Sequence, residues 1–322
     1  MTAHESRSWL ARLPFAGSAI ALVVAVTQWL PNMNRVPYED ALPTILAMLA
    51  LALVALALLR PLAGSWVRAG LMSGIAAVYL LYLPAFIPAV APGLHAVWLA
   101  AGAALAVLLA RRIPRDPDRL LPLNRKLNLL LVPATFAFLV FVGIQQARLE
   151  RERPDPAAAF ADFQGRADAD SPDVWHLILD RYASTATLAD RYGYDNRPFL
   201  DQLRRRGFAA ADGFSNYQRT GHSVASTLNG AYLDPLAAPM AARQTDWVPL
   251  YRAMTSSRAL SFFEANGYRT VFAGSWWNPT RRSAAADDNV NYRALPELAR
   301  LILDQSAFGF VLRQLALPYG DV

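Results

Sequence analysis

The chain has no cysteine and only one lysine, Lys126, among its 322 residues. Without cysteine there is no thiolate nucleophile, no cysteine-ligated zinc, no disulfide framework and no formylglycine made from cysteine. Without lysine beyond position 126, the second half holds neither a P-loop lysine nor a Schiff-base lysine. Histidine is nearly as scarce: His4, His95, His176 and His222 occur, and none follows. Charge is missing as well, but only locally. Long uncharged runs fill the part before Pro154, whereas after it apolar and charged residues alternate as in ordinary globular sequence. The formal charge of +6 divides accordingly, with 14 Lys and Arg against 7 acids through Arg153 and 17 against 18 beyond it. The basic excess therefore belongs to the flanks of the apolar runs, and no nucleic-acid partner is expected.

About 20 apolar residues cross the hydrocarbon core of a bilayer. Runs of about that length cover 14–34, 41–59, 69–89, 94–110 and 127–147. The third and fourth belong to one uncharged stretch, divided by a turn at Pro84, Pro88, Pro92 and Gly93. Five crossings put the two chain ends on opposite sides. Arg7, Arg12, Arg60, Arg68, Arg111, Arg112, Arg115, Arg119, Arg125 and Lys126 then share one side, which the positive-inside rule assigns to the cytoplasm. The expected protein is a multi-pass protein of the cytoplasmic membrane with its N-terminus inside. A membrane domain covers 1–148, a linker rich in Ala, Asp and Pro covers 149–172 with at most a short helix near 157–163, and 173–322 form an extracytoplasmic globular domain.

Most of the readable chemistry lies between Val174 and Asp234. The apolar run Val174-Trp175-His176-Leu177-Ile178-Leu179 is of strand type and stops at Asp180. A carboxylate at the C-terminal end of a buried strand sits where open α/β sheets bind ligands; a turn or N-cap role is the plainer alternative. His176, inside that run, reads as a core residue. Forty residues after Asp180 comes Thr220-Gly221-His222-Ser223, opening a short helix that Asn229-Gly230 would stop. A hydroxyl there faces unpaired N–H groups and suits a phosphate, although Thr is also a common N-cap. Helices are expected over 185–192, 198–206, 260–266 and 296–317, and further strands over 208–211 and 268–273. Their alternation favours a parallel sheet with helices on its faces.

These residues resemble the alkaline phosphatase and sulfatase superfamily, and within it the membrane-anchored group that includes lipoteichoic acid synthases and phosphoethanolamine transferases. Thr220 stands where sulfatases carry the Cys of Cys-x-Pro-Ser-Arg, with Ser223 at the Ser and Gly230 at the Gly that closes the helix. Tyr192-Gly193-Tyr194-Asp195-Asn196, Phe199-Leu200 and Arg206-Gly207-Phe208 are similar too, and the resemblance covers about residues 172 to 275. It implies a five-helix transmembrane bundle followed by an α/β alkaline-phosphatase-like domain. It also implies a divalent cation, zinc or manganese before calcium or magnesium, held by Asp180 and Thr220, with Thr220 as nucleophile. Asn216, Arg219 and His222 are the candidate contacts to an envelope lipid or glycan substrate.

The sequence departs from that pattern in two places. Gly274-Ser275-Trp276-Trp277 stands where sulfatases have Lys-Trp-His, keeping one Trp and losing the other two. The later Asp-His stretch that completes the family's metal site has no counterpart, and Asp287-Asp288 come too early to replace it. The expected domain is therefore C-terminally incomplete. Phosphodiester head-group transfer or hydrolysis is the leading reading. A non-catalytic sulfatase-like membrane protein that binds an envelope ligand is the alternative, and sulfuric ester hydrolysis ranks third.

Overall fold

A computed structural model describes residues 9–82, 92–160, 162–163, 165–168, 170–180, 182–211, 213–240, 245–275, 277–291 and 295–314. These residues are mostly helical, with a little parallel sheet. Six helices lie before Arg153: α1 (Trp9–Arg12), α2 (Ala16–Trp29), α3 (Tyr38–Ala63), α4 (Trp66–Ala77), α5 (Pro92–Arg112) and α6 (Pro117–Glu152). Their ends follow from local chemistry. Pro37 enters α3 in extended backbone, with Glu39 and Asp40 in the first turn beside the positive dipole end. Gly64 ends that helix in the left-handed region, at φ 77°. Ser65 caps α4 by accepting from the Arg68 N–H, and Asp116 caps α6 by accepting from Asp118, with Pro117 at the first helical position.

Among the described residues, α3 and α6 are long and apolar enough to cross a membrane. Their outward faces carry bare Leu51, Leu58, Leu62, Leu130 and Phe136. The other expected spans differ in detail. Over 14–34 the chain forms α2, a turn of helix at Leu30–Asn32 and then irregular backbone; α2 has only 14 residues and is buried on most sides among α3, α4 and α6. Over 69–89 it forms the end of α4 and one wide helical turn, Val78–Tyr82; the rest of that span, with the turn at Pro84 and Pro88, lies outside the described residues. Small residues let α2 and α4 meet closely, as helices do where hydrophobic drive is weak. A methyl on Gly70 would stand 2.7 Å from the Pro14 Cα, and one on Gly74 would stand 3.1 Å from the Ala16 methyl.

Polar groups inside this bundle are used to tie chain ends. Asn124 and Asn128, both buried, donate to the carbonyls of Leu10, Ala11 and Leu13, pinning the entry to α2 onto α6. The guanidinium of Arg68, buried and facing carbonyls only, donates to Leu62 and Ala63 at the end of α3 and to Ala110 and Ile113 at the end of α5. A cation at two helix C-termini opposes both dipoles favourably.

Beyond Arg153 the elements are short: α7 (Pro156–Ala159), α8 (Thr185–Tyr192), α9 (Arg197–Arg205), α10 (Thr220–Asn229), α11 (Asp234–Ala237), α12 (Val248–Thr255), α13 (Arg258–Ala265), α14 (Glu297–Asp304) and α15 (Ala307–Gln314). The single helix expected over 296–317 is two helices, broken at Gln305-Ser306; the Ser306 hydroxyl donates back to Leu303 and its oxygen accepts from Gly309 N–H. Strands β1 (Val271–Ala273) and β2 (Asp288–Val290) pair in parallel, Phe272 opposite Asn289. Asp287 and Asp288 serve this pairing. Asp287 accepts from Thr270 backbone and hydroxyl, which holds its carboxyl below the usual range, and Asp288 pairs with Arg269.

The expected buried strand over 174–179 is not one. The segment is extended and joins no sheet, and its apolar side chains are exposed, Trp175 by 83% and Leu177 by 78%. His176 is exposed with them, contrary to the core role read from the sequence. Apolar residues on both faces suit a strand covered on both sides. Among the described residues nothing pairs with this one; a bond of 3.1 Å from the Tyr268 hydroxyl to the Pro172 carbonyl holds its start. The 208–211 segment likewise forms no strand, and Phe208 is exposed.

The segment expected to be a linker is fastened down. Helix α6 continues through Glu152, and the Arg153 side chain, 2% exposed, pairs with Glu150 and Asp246 and donates to the Met33 carbonyl. Arg252 on α12 bridges Glu39 on α3 and Glu150 on α6, at 2.9 Å each. Asp40 accepts from Asn278 and faces Arg281. Leu298 and Ile302 of α14 enter the same apolar cluster as Val26, Trp29 and Ile45 of the bundle. Removing one partner of a buried pair strands the others. Arg153→Met is expected to cost about 3 kcal/mol in thermal unfolding of the detergent-solubilised chain. Arg148→Met, at an exposed pair with Glu152, should cost less than about 0.5 kcal/mol; equal effects would remove the special role of Arg153.

Candidate functional site

Helix α10 is the best-anchored element near the motif. Its C-terminus stops at Gly230, in the left-handed region at φ 59°, where a Cβ would strike the Phe163 ring at 2.7 Å. Asn229, buried, donates to Ala225 and Ala253 and accepts from the Arg258 N–H. Val224 and Ala225 pack with Leu250, Tyr251, Ala253 and Met254 of α12. These bonds fix the helix from behind and leave its N-terminus forward.

At that end Arg219, not Thr220, is the N-cap residue; its backbone is extended and its side chain makes no capping bond. Thr220 occupies the first helical position, so the opening N–H groups of α10 have no side-chain acceptor. The Thr220 hydroxyl stands 3.4 Å from Asp180 Oδ1, and both residues are exposed. Two residues 40 apart in sequence thus meet, although the segment carrying Asp180 is not in a sheet.

The other candidates divide. Asn216 is engaged internally: its amide donates to the buried Ser226 hydroxyl at 2.8 Å, which donates to the Ala231 carbonyl. Ser223 contributes its carbonyl, accepting from the Thr227 hydroxyl. Arg219 is exposed, and its guanidinium lies over the Trp247 ring at 5.3 Å. His222 meets the same Trp247 edge-on at 5.2 Å and Tyr217 at 5.9 Å. Its Nδ1 is buried without a partner. Burial first, and Arg219 second, hold its pKa below the usual histidine value.

Trp247, Tyr217 and Tyr251 complete an aromatic row that the sequence reading missed. Tyr251 lies between Trp247, at a tilt, and Trp277, edge-on, and burial above all pushes its hydroxyl up to about 12. The available signal was Asp246-Trp247-Val248-Pro249, a helix start in which Asp246 accepts from the Val248 N–H and Pro249 occupies the first turn. Gly221 is where α10 approaches Trp277; a Cβ there would lie 3.3 Å from the indole.

As a cation site the pair Asp180 and Thr220 offers two oxygen donors, the chemistry that hard or borderline cations take. Two ligands fall short of the four to six such cations need, and no group of three or more His, Asp or Glu suited to a metal lies among the described residues. Protein-family models, curated proteins and solved structures were all compared with this chain, and none matches.

A depressed histidine pKa gives a signed prediction. The unfolded chain binds the His222 proton first, so this group's contribution is present above its ordinary value of 6.5 and is lost as pH falls below it. Thermal stability of the solubilised chain should therefore drop between about pH 7.5 and 5.5. His222→Gln should flatten part of that drop; an unchanged profile would show that the ring is not held neutral by its surroundings.

Proposed function

We propose that this protein is an integral membrane, sulfatase-like phosphotransferase or hydrolase, acting on a phosphodiester head group of an envelope lipid or glycan. In this reading the apolar helices are a multi-pass anchor with the N-terminus in the cytoplasm, and the segment beyond Arg153 is an extracytoplasmic domain of alkaline-phosphatase type. The observation that carries it is the meeting of Thr220 and Asp180 at an uncapped helix N-terminus. A neutral hydroxyl is a weak nucleophile, and an adjacent carboxylate or cation is what activates one.

Thr220, Asp180 and the N-terminus of α10 support a simple course. Thr220 Oγ1 attacks phosphorus, its proton passes to Asp180, and the P–O bond to the leaving alcohol breaks as that alcohol takes the proton. The opening N–H groups of α10 hold the phosphoryl oxygens. An acceptor hydroxyl or water then displaces Thr220, which recovers a proton. Asp180 and Thr220 would be the residues to hold a divalent cation, zinc or manganese by family analogy, but two oxygen donors fall short of its ligand set and no step here runs through one. The absence of cysteine weighs against sulfuric ester hydrolysis through formylglycine.

Thr220→Ala should reduce turnover of a phospholipid diester by about a thousandfold or more, while Thr220→Ser stays within about tenfold of wild type. Turnover independent of Thr220 would remove the nucleophile assignment, and no turnover by the wild-type chain would leave the second reading, a ligand-binding protein with a sulfatase-like remnant. That reading draws on the two-oxygen donor set. Topology is separately testable, since a chain without cysteine has no labelling background. In intact cells a membrane-impermeant maleimide should label Asp155→Cys and not Asp116→Cys; the reverse pattern would overturn the orientation.

A further inference from the structure

Helix α3 joins two surfaces. At its start Glu39 and Asp40 hold Arg252 and Asn278. In its last turn, about 20 residues and about 30 Å of helical rise later, stands Arg60. That separation is about the thickness of a hydrocarbon core. At this far end the buried Arg68 guanidinium ties the end of α3, at Leu62 and Ala63, to the end of α5, at Ala110 and Ile113. The tie brings Arg60 to one level with Arg111 and Arg112, in the last turn of α5, and with Arg115 just beyond.

These four cations have no counter-charge. From Ala41 through Arg115 the sequence holds no Asp or Glu. Among the described residues no carboxylate pairs with Arg60, Arg111, Arg112 or Arg115, and the next acid along the chain, Asp116, already caps α6 and faces Arg119. Arg111, Arg112 and Arg115 are exposed, and the Arg60 guanidinium lies over the Trp66 ring at 5.7 Å. Stacking on a ring face leaves the N–H fork open to an oxyanion. Trp66 is itself half exposed, and an indole favours the level where apolar bilayer meets water. Beside it, one turn apart on α3, Leu58 and Leu62 are bare. Cationic forks and an apolar stripe thus adjoin at one helix end, while Arg68, whose donors face carbonyls, only positions them.

We propose that Arg60, Trp66, Arg111, Arg112 and Arg115 form a binding surface for a resident anionic phospholipid whose head group carries two phosphates, in the leaflet where α3 and α5 end. The guanidinium forks from the two helix ends take the phosphate oxygens, and the acyl chains lie along Leu58 and Leu62. Four cations held at one level repel one another, and an anion of more than one charge relieves that repulsion. The lipid is a structural partner and not a substrate, since this surface shares no residue with the Thr220 region and lies at the opposite end of α3 from the segment that carries it. The inference rests on the membrane anchor of the proposed function and on none of its chemistry. A soluble diphosphate shares the charge and lacks the acyl chains, so the two sources separate experimentally.

The test uses the full chain, released from nanodiscs of phosphatidylcholine containing phosphatidylglycerol and cardiolipin, with retained lipid read by native mass spectrometry. Wild type should keep cardiolipin in preference to the other two. Arg60→Gln and Arg112→Gln should each lower that retention about fivefold, the usual contribution of one arginine near an anionic surface. Arg119→Gln removes the same charge from a residue already paired with Asp116 and should leave retention unchanged. Trp66→Phe, which keeps a ring under the guanidinium, should stay closer to wild type than Trp66→Leu. Equal losses at Arg60 and Arg119 would reduce the surface to unspecific charge and overturn the proposal. So would displacement of cardiolipin by pyrophosphate at a similar concentration. A chain that does not enter nanodiscs would remove the membrane anchor and this site together, whereas one that enters and retains no cardiolipin would remove this site alone.

Discussion

The buried guanidinium of Arg153 is the constraint on which the arrangement depends. It closes α6, takes two carboxylates from opposite sides of the junction and caps the Met33 carbonyl in the α2–α3 connection. Taking a charge out of water is costly, and only complete pairing offsets that cost. The geometry of Glu150, Asp246 and Met33 is therefore set jointly. Glu150 is shared with Arg252, which reaches Glu39, so ionic contacts extend from the tops of α3 and α6 into α12. Desolvation of Glu297, whose carboxyl is raised at the start of α14, belongs to the same layer, where Leu298 and Ile302 are already buried.

Helix α12 receives these constraints and passes them on. One side of it carries Arg252 to the bundle. The other packs Leu250, Ala253 and Met254 against α10. Trp247 at its start is at once a tether to Asn34 and a floor for Arg219. The position of Thr220 is thus decided by the packing of α10 on α12, Phe163 and Arg258, which explains how an exposed hydroxyl can be well located. Asp180 is located less firmly, because among the described residues its segment joins no sheet and the side-chain hydrogen bonds that hold it lie near its ends.

The sequence was legible where the signal was local. Uncharged runs marked the apolar helices, and Gly230 after Asn229 marked the stop of α10. The spacing from Asp180 to Thr220 led to a pair that does meet. What was not legible depended on distant partners. Val174–Leu179 has the composition of a covered strand, but composition does not say whether a neighbour is present. Arg153 looked like a member of a mixed-sign linker, since no local pattern distinguishes a solvated arginine from one enclosed by Asp246, 93 residues away. Trp247 is illegible for the same reason: its backbone N–H reaches Asn34, and its ring meets Arg219, His222 and Tyr251. Asn216 shows the converse, a polar side chain beside the motif that turns inward to Ser226.

The uncovered 174–179 segment makes this surface adhesive. Main-chain groups without ladder partners, flanked by bare Trp175, Leu177 and Leu179, form a template on which another extended chain can zip. Soluble proteins blunt such edges with lysine or proline; this stretch has neither between Val174 and Leu179. Lateral self-association at high concentration follows from that edge, independently of the apolar helices. At high protein concentration the segment would be safe only while occupied.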